Sequence, residues 1–441
     1  MRARKPAAPV IHRIIPPETL MITGLSHDGR GLAHYQGKAF FVEGALEGEQ
    51  VQIKIQEEHR RFVNAKTTAV LQVSPERCKP DCPSFSHCGG CSMQYWSHTG
   101  QLKGKQRIVL EQLERFGDVI PELVVAPLTS TPYGYRHRCR LAIRWGKGGL
   151  RLGFRQKGSN AVCPVDSCSV LVPSLQNLPK WLQQILPELK GKTAVSHAEL
   201  IQAENITAVI LRHTRMLSAE DKGLLVDRAR DKQCQLWLQD NSGQLVQLYS
   251  PDSLPLSYSL PDFQLELLFL PGDFTQVNAS MNRLMVAQAV KWLQPDSHDN
   301  ILDLFCGLGN FSLPLSRYTR QVTGVEVSGG AIERAKNNAV HNNINNCHFF
   351  QGDLTGHLSN QWSRDQYDAL VLDPPRTGAR ELLKKLEVAL PERILYISCN
   401  PATLARDAGL LKEQGFSLKQ LGIMDMFPQT EHIESMALFQ R

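Results

Sequence analysis

Apolar and polar positions along this chain of 441 residues fall into three regimes. From Ile22 to Val73 they alternate in short runs broken by turn residues, His27-Asp28-Gly29-Arg30-Gly31 and Gln36-Gly37-Lys38 among them. Runs such as Lys38–Val42 and Gln50–Gln56 predict strands, and several at this spacing predict a small barrel over 12–75. Further on the period lengthens: Leu102, Ile108, Val109 and Leu113 predict a helix within 99–117, one that can pack with the C-terminal part. Arg136 to Phe154 reads as a hairpin turning at Gly146-Lys147-Gly148-Gly149, and 175–270 as mixed α+β without a motif. From Phe274 onward the third regime begins. Apolar runs Ile301–Leu304, Val322–Val325, Tyr367–Asp373 and Arg393–Ser398 alternate with helical stretches Ala331–Asn342 and Ala379–Leu390. That alternation predicts a doubly wound α/β domain with a parallel sheet. The division is then a barrel over 12–75, a central α+β domain over 76–270 and an α/β domain over 271–441.

Charge divides the chain differently. Residues 1–170 carry 24 Lys and Arg against 14 Asp and Glu, whereas the remainder is slightly acidic. A basic half suggests a polyanionic partner. It is densest from Thr131 to Ser159, where Arg136, Arg138, Arg140, Arg144, Lys147, Arg151, Arg155 and Lys157 meet no acidic residue. Tyr133, Tyr135, Trp145 and Phe154 are interleaved, and cations with rings are what single-stranded RNA recognition uses. No run of about 18 apolar residues predicts a membrane span, and Met1 to Val10 lacks the apolar core of a signal peptide. A cytoplasmic protein is expected, with no membrane or DNA partner. No heptad argues for more than a monomer. Eleven cysteines in that setting point to metal rather than disulfides. Cys78, Cys82, Cys88 and Cys91 lie close enough in sequence to hold zinc by themselves.

Candidate chemistry concentrates in the third regime. Asp303-Leu304-Phe305-Cys306-Gly307-Leu308-Gly309-Asn310 follows the first strand, and its glycines allow a tight turn and close approach to a ligand. Ser312 stands where a dinucleotide fingerprint wants a third glycine, which disfavours a nicotinamide cofactor. Glu326 ends the next strand, where a carboxylate accepts ribose hydroxyls. With Asp353 after the third strand, this is the arrangement of S-adenosylmethionine-dependent methyltransferases. Asp373-Pro374-Pro375-Arg376 resembles the motif of amino-group methylating enzymes, but Arg376 replaces its aromatic residue and points to other chemistry. Cys399 then stands out. It follows a buried strand and precedes Asn400-Pro401, a helix start, and a helix N-terminus is expected to lower a thiol's pKa and make it nucleophilic. A uracil C5 is too poor a nucleophile to take a methyl group unaided. Thiolate addition at C6 activates it, provided a base then removes the C5 proton. Glu434, before the last strand Met436–Phe439, is the first candidate base, and His432 is the second.

These residues resemble a known family. Ser398-Cys399-Asn400-Pro401-Ala402-Thr403-Leu404-Ala405-Arg406-Asp407, with His432-Ile433-Glu434-Ser435-Met436, is similar to the RNA uracil-C5 methyltransferases. The resemblance implies Cys399 as nucleophile and Glu434 as the base at C5. It implies S-adenosylmethionine contacts at Gln276, Phe305, Asn310, Glu326, Asp353 and Asp373. The family's iron–sulfur members use a C-x5-C-x2-C run plus a distant cysteine. Cys82, Cys88, Cys91 and Cys168 fit that pattern, implying a [4Fe–4S] cluster with Cys78 and Cys163 as bystanders. The barrel resembles the RNA-binding TRAM domain. Barrel, cluster and catalytic domain together imply a uridine of 23S ribosomal RNA as the target, flipped from its stack to expose C6.

Overall fold

The computed structural model describes residues 18–26, 28–252, 255–354, 362, 366–386 and 390–441. Met1 to Val10, His27 of the first predicted turn, the start of the predicted barrel (12–17) and part of the predicted helix over 379–390 lie outside them. The chain forms two compact units, one of residues up to Pro80 with Met93–Ile108, the other of Asp81–Ser92 with Val109–Arg441. Among the described residues no helix is long and apolar enough to cross a membrane.

In the first unit six strands form one sheet in the order Leu20–Met21, Gln50–Glu58, Phe62–Gln72, Lys38–Glu43, Gly31–Tyr35, Gly24–Leu25. The two edge strands are consecutive in sequence, so the sheet must curl until its ends meet. Its interior is apolar: Leu20, Ile22, Ala33, Phe40, Val42, Ala45, Val51, Val63 and Ala65 form one cluster, as alternation on a closed sheet requires. Buried Glu49 is held by Arg77, at 2.5 and 2.7 Å.

The second unit holds two large sheets. The central one has seven strands, ordered Val162–Pro164, Gly149–Arg155, Arg138–Gly146, Val195–Gln202, Thr207–His213, Gln235–Gln239, Leu245–Tyr249. The predicted hairpin forms, with Gly146 opposite Gly149. One face of this sheet buries Leu141, Ile143, Leu152, Leu200 and Leu211 in a cluster that includes Leu178 and Leu182 of the helix Leu178–Ile185 and Leu225 of Ala219–Lys232. Alternation puts Trp145 and Phe154 on that same packed face. Tyr135 is buried too, its hydroxyl donating to the Pro428 carbonyl at 3.0 Å. These three rings are therefore not the base-stacking platform that interleaving with arginines suggested, because strand alternation sends rings and cations to opposite sides.

The C-terminal sheet runs Cys347–Gln351, Gln321–Glu326, Asn300–Leu304, Ala369–Leu372, Arg393–Ser398, Glu434–Gln440, Ser417–Met424, Leu123–Val124. The first five strands are parallel. Strand order reverses between Asn300–Leu304 and Ala369–Leu372, the point at which doubly wound sheets open a crevice at their carboxyl edge. Glu434–Gln440 is antiparallel to Arg393–Ser398 and two residues longer at its start than its apolar run indicated. The helix Ala279–Leu293 covers one side of the sheet through Met281, Met285, Val286 and Ala289. The turn Leu113–Gly117 packs on helix Pro401–Glu413 so tightly that a Cβ on Gly117 would lie 2.5 Å from the Ala405 carbonyl oxygen.

Candidate active site

A cavity of about 1000 Å³ opens at this carboxyl edge. Gln276, Phe305, Glu326, Asp353, Asp373, Cys399 and Glu434 all line it, with Phe274, Arg376, Phe427 and His432. Sheet register explains the juxtaposition of the two most distant groups. Ser398 pairs with Ser435 and Ile397 with Met436, so the next rung brings Cys399 opposite Glu434. Ser435 Oγ donates to the Ser398 carbonyl at 3.3 Å and ties that end of the ladder.

The helix behind Cys399 begins where expected. Asn400 accepts from the Ala402 N–H at 3.1 Å as N-cap, and Pro401 is the first helical residue. The Asn400 side chain also donates to the Arg376 carbonyl at 3.0 Å, and Thr403 Oγ1 donates to it at 3.3 Å. One cap therefore holds the Asp373–Arg376 loop against the cysteine loop. The Arg376 guanidinium donates to His432 Nδ1 at 3.4 Å, and His432 meets Phe427 edge-on at 5.5 Å.

The thiol itself departs from expectation. Burial pushes Cys399 up to about 11, and Glu434 and Asp373 add to it. Arg376 pulls the other way, but desolvation and two carboxylates outweigh it and the helix terminus. Burial, then Asp373, holds Glu434 well above the usual carboxylate range. Burial also raises Asp373 to about 7.

Another part of the cavity wall is built on the first two parallel strands. Gly307 and Gly309 take φ of 54° and 90°, which only glycine adopts freely, while Phe305 is held at 67°, a strained value for a bulky residue. Glu326 Oε1 accepts from the Ser328 N–H at 3.0 Å, leaving its second oxygen for a ligand. Asp303 lies beneath, fully buried, bonded to Ser312 through one oxygen and unpartnered at the other. Burial raises it to about 7. Asn310 is not in the cavity. It forms a reciprocal amide pair with Asn282, 2.9 Å each way, and accepts from Tyr258 OH at 3.1 Å. Phe274, 77% exposed at the cavity rim, and Phe427 went unnoticed in the sequence, since an aromatic in a loop carries no periodic signal.

The basic hairpin also sorts itself. Arg138 clamps the loop leading into the cavity, donating to the Pro271 and Asp273 carbonyls and pairing with Glu199 at 2.6 Å. Arg136 Nε donates to the Arg138 carbonyl at 2.9 Å. Arg138, held by an acid, is not a free cation for a phosphate.

Four cysteines gather beside this hairpin. Cys88 bridges Gln156 through its backbone, and Cys82, Cys163 and Cys168 lie near enough to raise its pKa along with burial. Gly90 N–H donates to Cys88 Sγ at 3.4 Å, and the Leu171 N–H donates to the Cys168 carbonyl at 3.1 Å. Among the described residues no three His, Cys, Asp or Glu side chains converge as on a single metal ion.

Comparison with known proteins identifies the lineage. A profile described as tRNA (Uracil-5-)-methyltransferase matches residues 203–441, and a TRAM domain profile matches 18–68. A Pseudomonas aeruginosa protein named 23S rRNA (uracil(1939)-C(5))-methyltransferase RlmD is 43% identical over 99% of this chain and 96% of its own. The chain belongs to the RNA uracil-C5 methyltransferase family. A relative of the same name from Alkalilimnicola ehrlichii is 42% identical over 96% of this chain and 97% of its own. The solved Pyrococcus abyssi tRNA (uracil-54, C5)-methyltransferase, in complex with S-adenosyl-L-homocysteine, superposes with a TM-score of 0.73. It shares 23% identity over 96% of this chain and 99% of that one, which establishes the family fold.

Proposed function

We propose that this chain transfers a methyl group from S-adenosylmethionine to C5 of the 1939-type uridine of 23S ribosomal RNA, in the cytoplasm and as a monomer. The observation that carries the reading is the Ser398–Ser435 pairing, whose continuation brings Cys399 toward Glu434 in one cavity with Glu326 and Asp353. Full-length identity of 43% to a relative named for that uridine supports the target.

Each residue has a task. Cys399, as thiolate, adds to C6 and pushes an electron pair to C5 and O4. C5 displaces the methyl group from the sulfonium, leaving S-adenosylhomocysteine. Glu434, as carboxylate, takes the C5 proton, and the C6–S bond breaks to return Cys399 and 5-methyluracil. Arg376 favours the thiolate that starts the sequence. Glu326 binds the ribose hydroxyls of the donor, Asp353 its adenine, and Gln276, Phe305 and Asp373 the rest of the donor and the entering base. Asn310 shapes the glycine loop from behind through Asn282 and Tyr258.

Cys82, Cys88, Cys91 and Cys168 would hold a [4Fe–4S] cluster: Cys82 and Cys168 lie beside Cys88, as does Cys163, and Cys91 follows Cys88 by three residues. The donor set is all thiol, and a backbone amide, Gly90 N–H, already points at the Cys88 sulfur, as at iron–sulfur sites. Bound by these four thiols, it would supply a structural link between the Cys82–Cys91 loop and the turn at Cys168.

The test is incubation with methyl-labelled S-adenosylmethionine and unmodified 23S RNA, mapped by nuclease digestion and mass spectrometry. One 5-methyluridine at the 1939-type site is expected. Label at another uridine overturns the target; no label overturns the function.

A further inference from the structure

One face of the central sheet packs against helices; the other divides into two ends. At one end Ile201, Ala208, Ile210 and Trp237 pack with Leu256, Phe269 and Leu308. At the other, register places five arginines on three strands of a four-strand stretch, with His197 on the fourth. Arg144 pairs directly with Arg151, and Arg140 lies on the same face as Arg144 and Arg155. Arg140 also opposes Glu199 of the next strand, and His197, two residues from Glu199, opposes Arg212 of the strand beyond. Glu199 is occupied by Arg138. None of Arg140, Arg144, Arg151, Arg155 and Arg212 makes an ion pair among the described residues, and the first three are exposed. His197 sits in their field, and burial with Arg140, Arg144, Arg155 and Arg212 lowers its pKa to about 4.

Strand spacing makes this patch about 14 Å wide, and Arg140 to Arg144 spans about 13 Å along a strand. The strands' only rings on this face are His197, among the arginines, and Trp237, packed at the apolar end. A single strand with splayed bases would want exposed rings here. A paired stem keeps its bases inside and offers phosphates at regular intervals, matching rigid strand-borne guanidiniums.

From this juxtaposition we infer that the arginine end of the central sheet docks the phosphate backbone of a double-helical RNA stem next to the target loop. The inference rests on the RNA-methyltransferase reading and goes beyond it by naming the RNA shape that is read. The methylated base enters the cavity; the stem lies on the sheet and sets which loop is offered.

The experiment compares binding of two RNAs to the full protein: the target loop on its intact stem, and the same loop strand without pairing. The variant carries Arg140→Gln, Arg144→Gln, Arg151→Gln and Arg212→Gln, with thermal melting as the folding control. The wild type should prefer the stemmed RNA, and the variant should lose most of that preference. Its plot of log affinity against log salt on the stemmed RNA should be shallower by about 3, one neutralised phosphate counting for roughly 0.7–0.9. Lysine at the four positions should restore the preference. Equal loss on both RNAs, no loss, or lysine failing as glutamine does would overturn the inference. A protein that methylates nothing yet shows the stem preference, lost in the variant, would overturn the proposed function and leave this inference standing.

Discussion

Alkylation of Cys399 without RNA or methyl donor reads its proton directly. With the thiol pushed up to about 11, about one molecule in a thousand carries thiolate at pH 8; an ordinary thiol of pKa 9.0 would give about one in ten. Thiolate fraction alone would slow iodoacetamide labelling of Cys399 about a hundredfold at pH 8; the greater nucleophilicity of a high-pKa thiolate returns part of it, leaving about tenfold against an unburied thiol, with the rate rising about tenfold per pH unit up to pH 10. Peptide mass spectrometry separates Cys399 from the other cysteines. Two substitutions test the causes. Arg376→Gln removes the one favourable charge and should slow labelling. Glu434→Gln removes a carboxylate and should speed it, but only at pH values where Glu434 has given up its own proton, since a neutral acid exerts no charge effect. A rate plateau below pH 8, or faster labelling of the Arg376 variant, would refute the reasoning. The functional corollary is that Cys399 must lose its proton before turnover, so kcat/KM should rise with pH through neutrality.

Glu434→Gln should leave addition and methyl transfer possible but block elimination, so a methylated RNA–protein adduct resistant to detergent should accumulate; free 5-methyluridine in wild-type yield would sink Glu434 as the base. Asp303→Asn tests the buried acid. Its folded pKa is raised, so the native state keeps a proton between about pH 4 and 7 that the unfolded chain has released, and stability falls as pH rises across that window. The variant should melt higher than wild type at pH 8, by an amount that corresponds to at most roughly 4 kcal/mol, with no gain at pH 4. Gly153→Ala would set a Cβ 1.9 Å from the Cys163 carbonyl oxygen; backbone cannot yield as a side chain can, so a loss of about 3 kcal/mol is expected in denaturant titration.

The cavity residues were legible because the chemistry of a doubly wound sheet concentrates at strand ends, and strand ends are visible as the stops of apolar runs. Glu326, Asp373 and Cys399 each follow such a run directly. Glu434 was harder. It lies in a strand antiparallel to its neighbour, so its start, not its end, reaches the carboxyl edge. Only pairing register places it beside Cys399, and register depends on both strands at once. Asn310 shows what stays hidden. Its neighbours in sequence line the cavity, while its own side chain pairs with Asn282, on the helix Ala279–Leu293. A local motif cannot show a partner that arrives from another element.

Burial decided what sequence position could not. A helix N-terminus favours a thiolate by a modest, screened amount, and reading Cys399 from its position alone weighs that effect only. In the folded site the loss of water around the thiol outweighs it, and two carboxylates push the same way as burial, so the direction reverses. The same logic separates the eight cations of the hairpin. Arg138 and Arg144 look alike along the chain and share a strand and a face. One meets Glu199 and two carbonyls of the loop entering the cavity; the other meets no acid at all. Charge density in a sequence therefore marks a basic segment, and the third dimension divides it into a clamp that shapes the active-site rim and a surface left open to a polyanion. If that division is right, Arg138→Gln and Arg144→Gln should part company. The first should disturb the cavity, raising KM for the methyl donor and lowering the melting temperature. The second should weaken RNA binding in a salt-dependent way and leave the melting temperature where it was. Equal effects of the two on both readouts would mean that the hairpin acts as one undifferentiated basic surface.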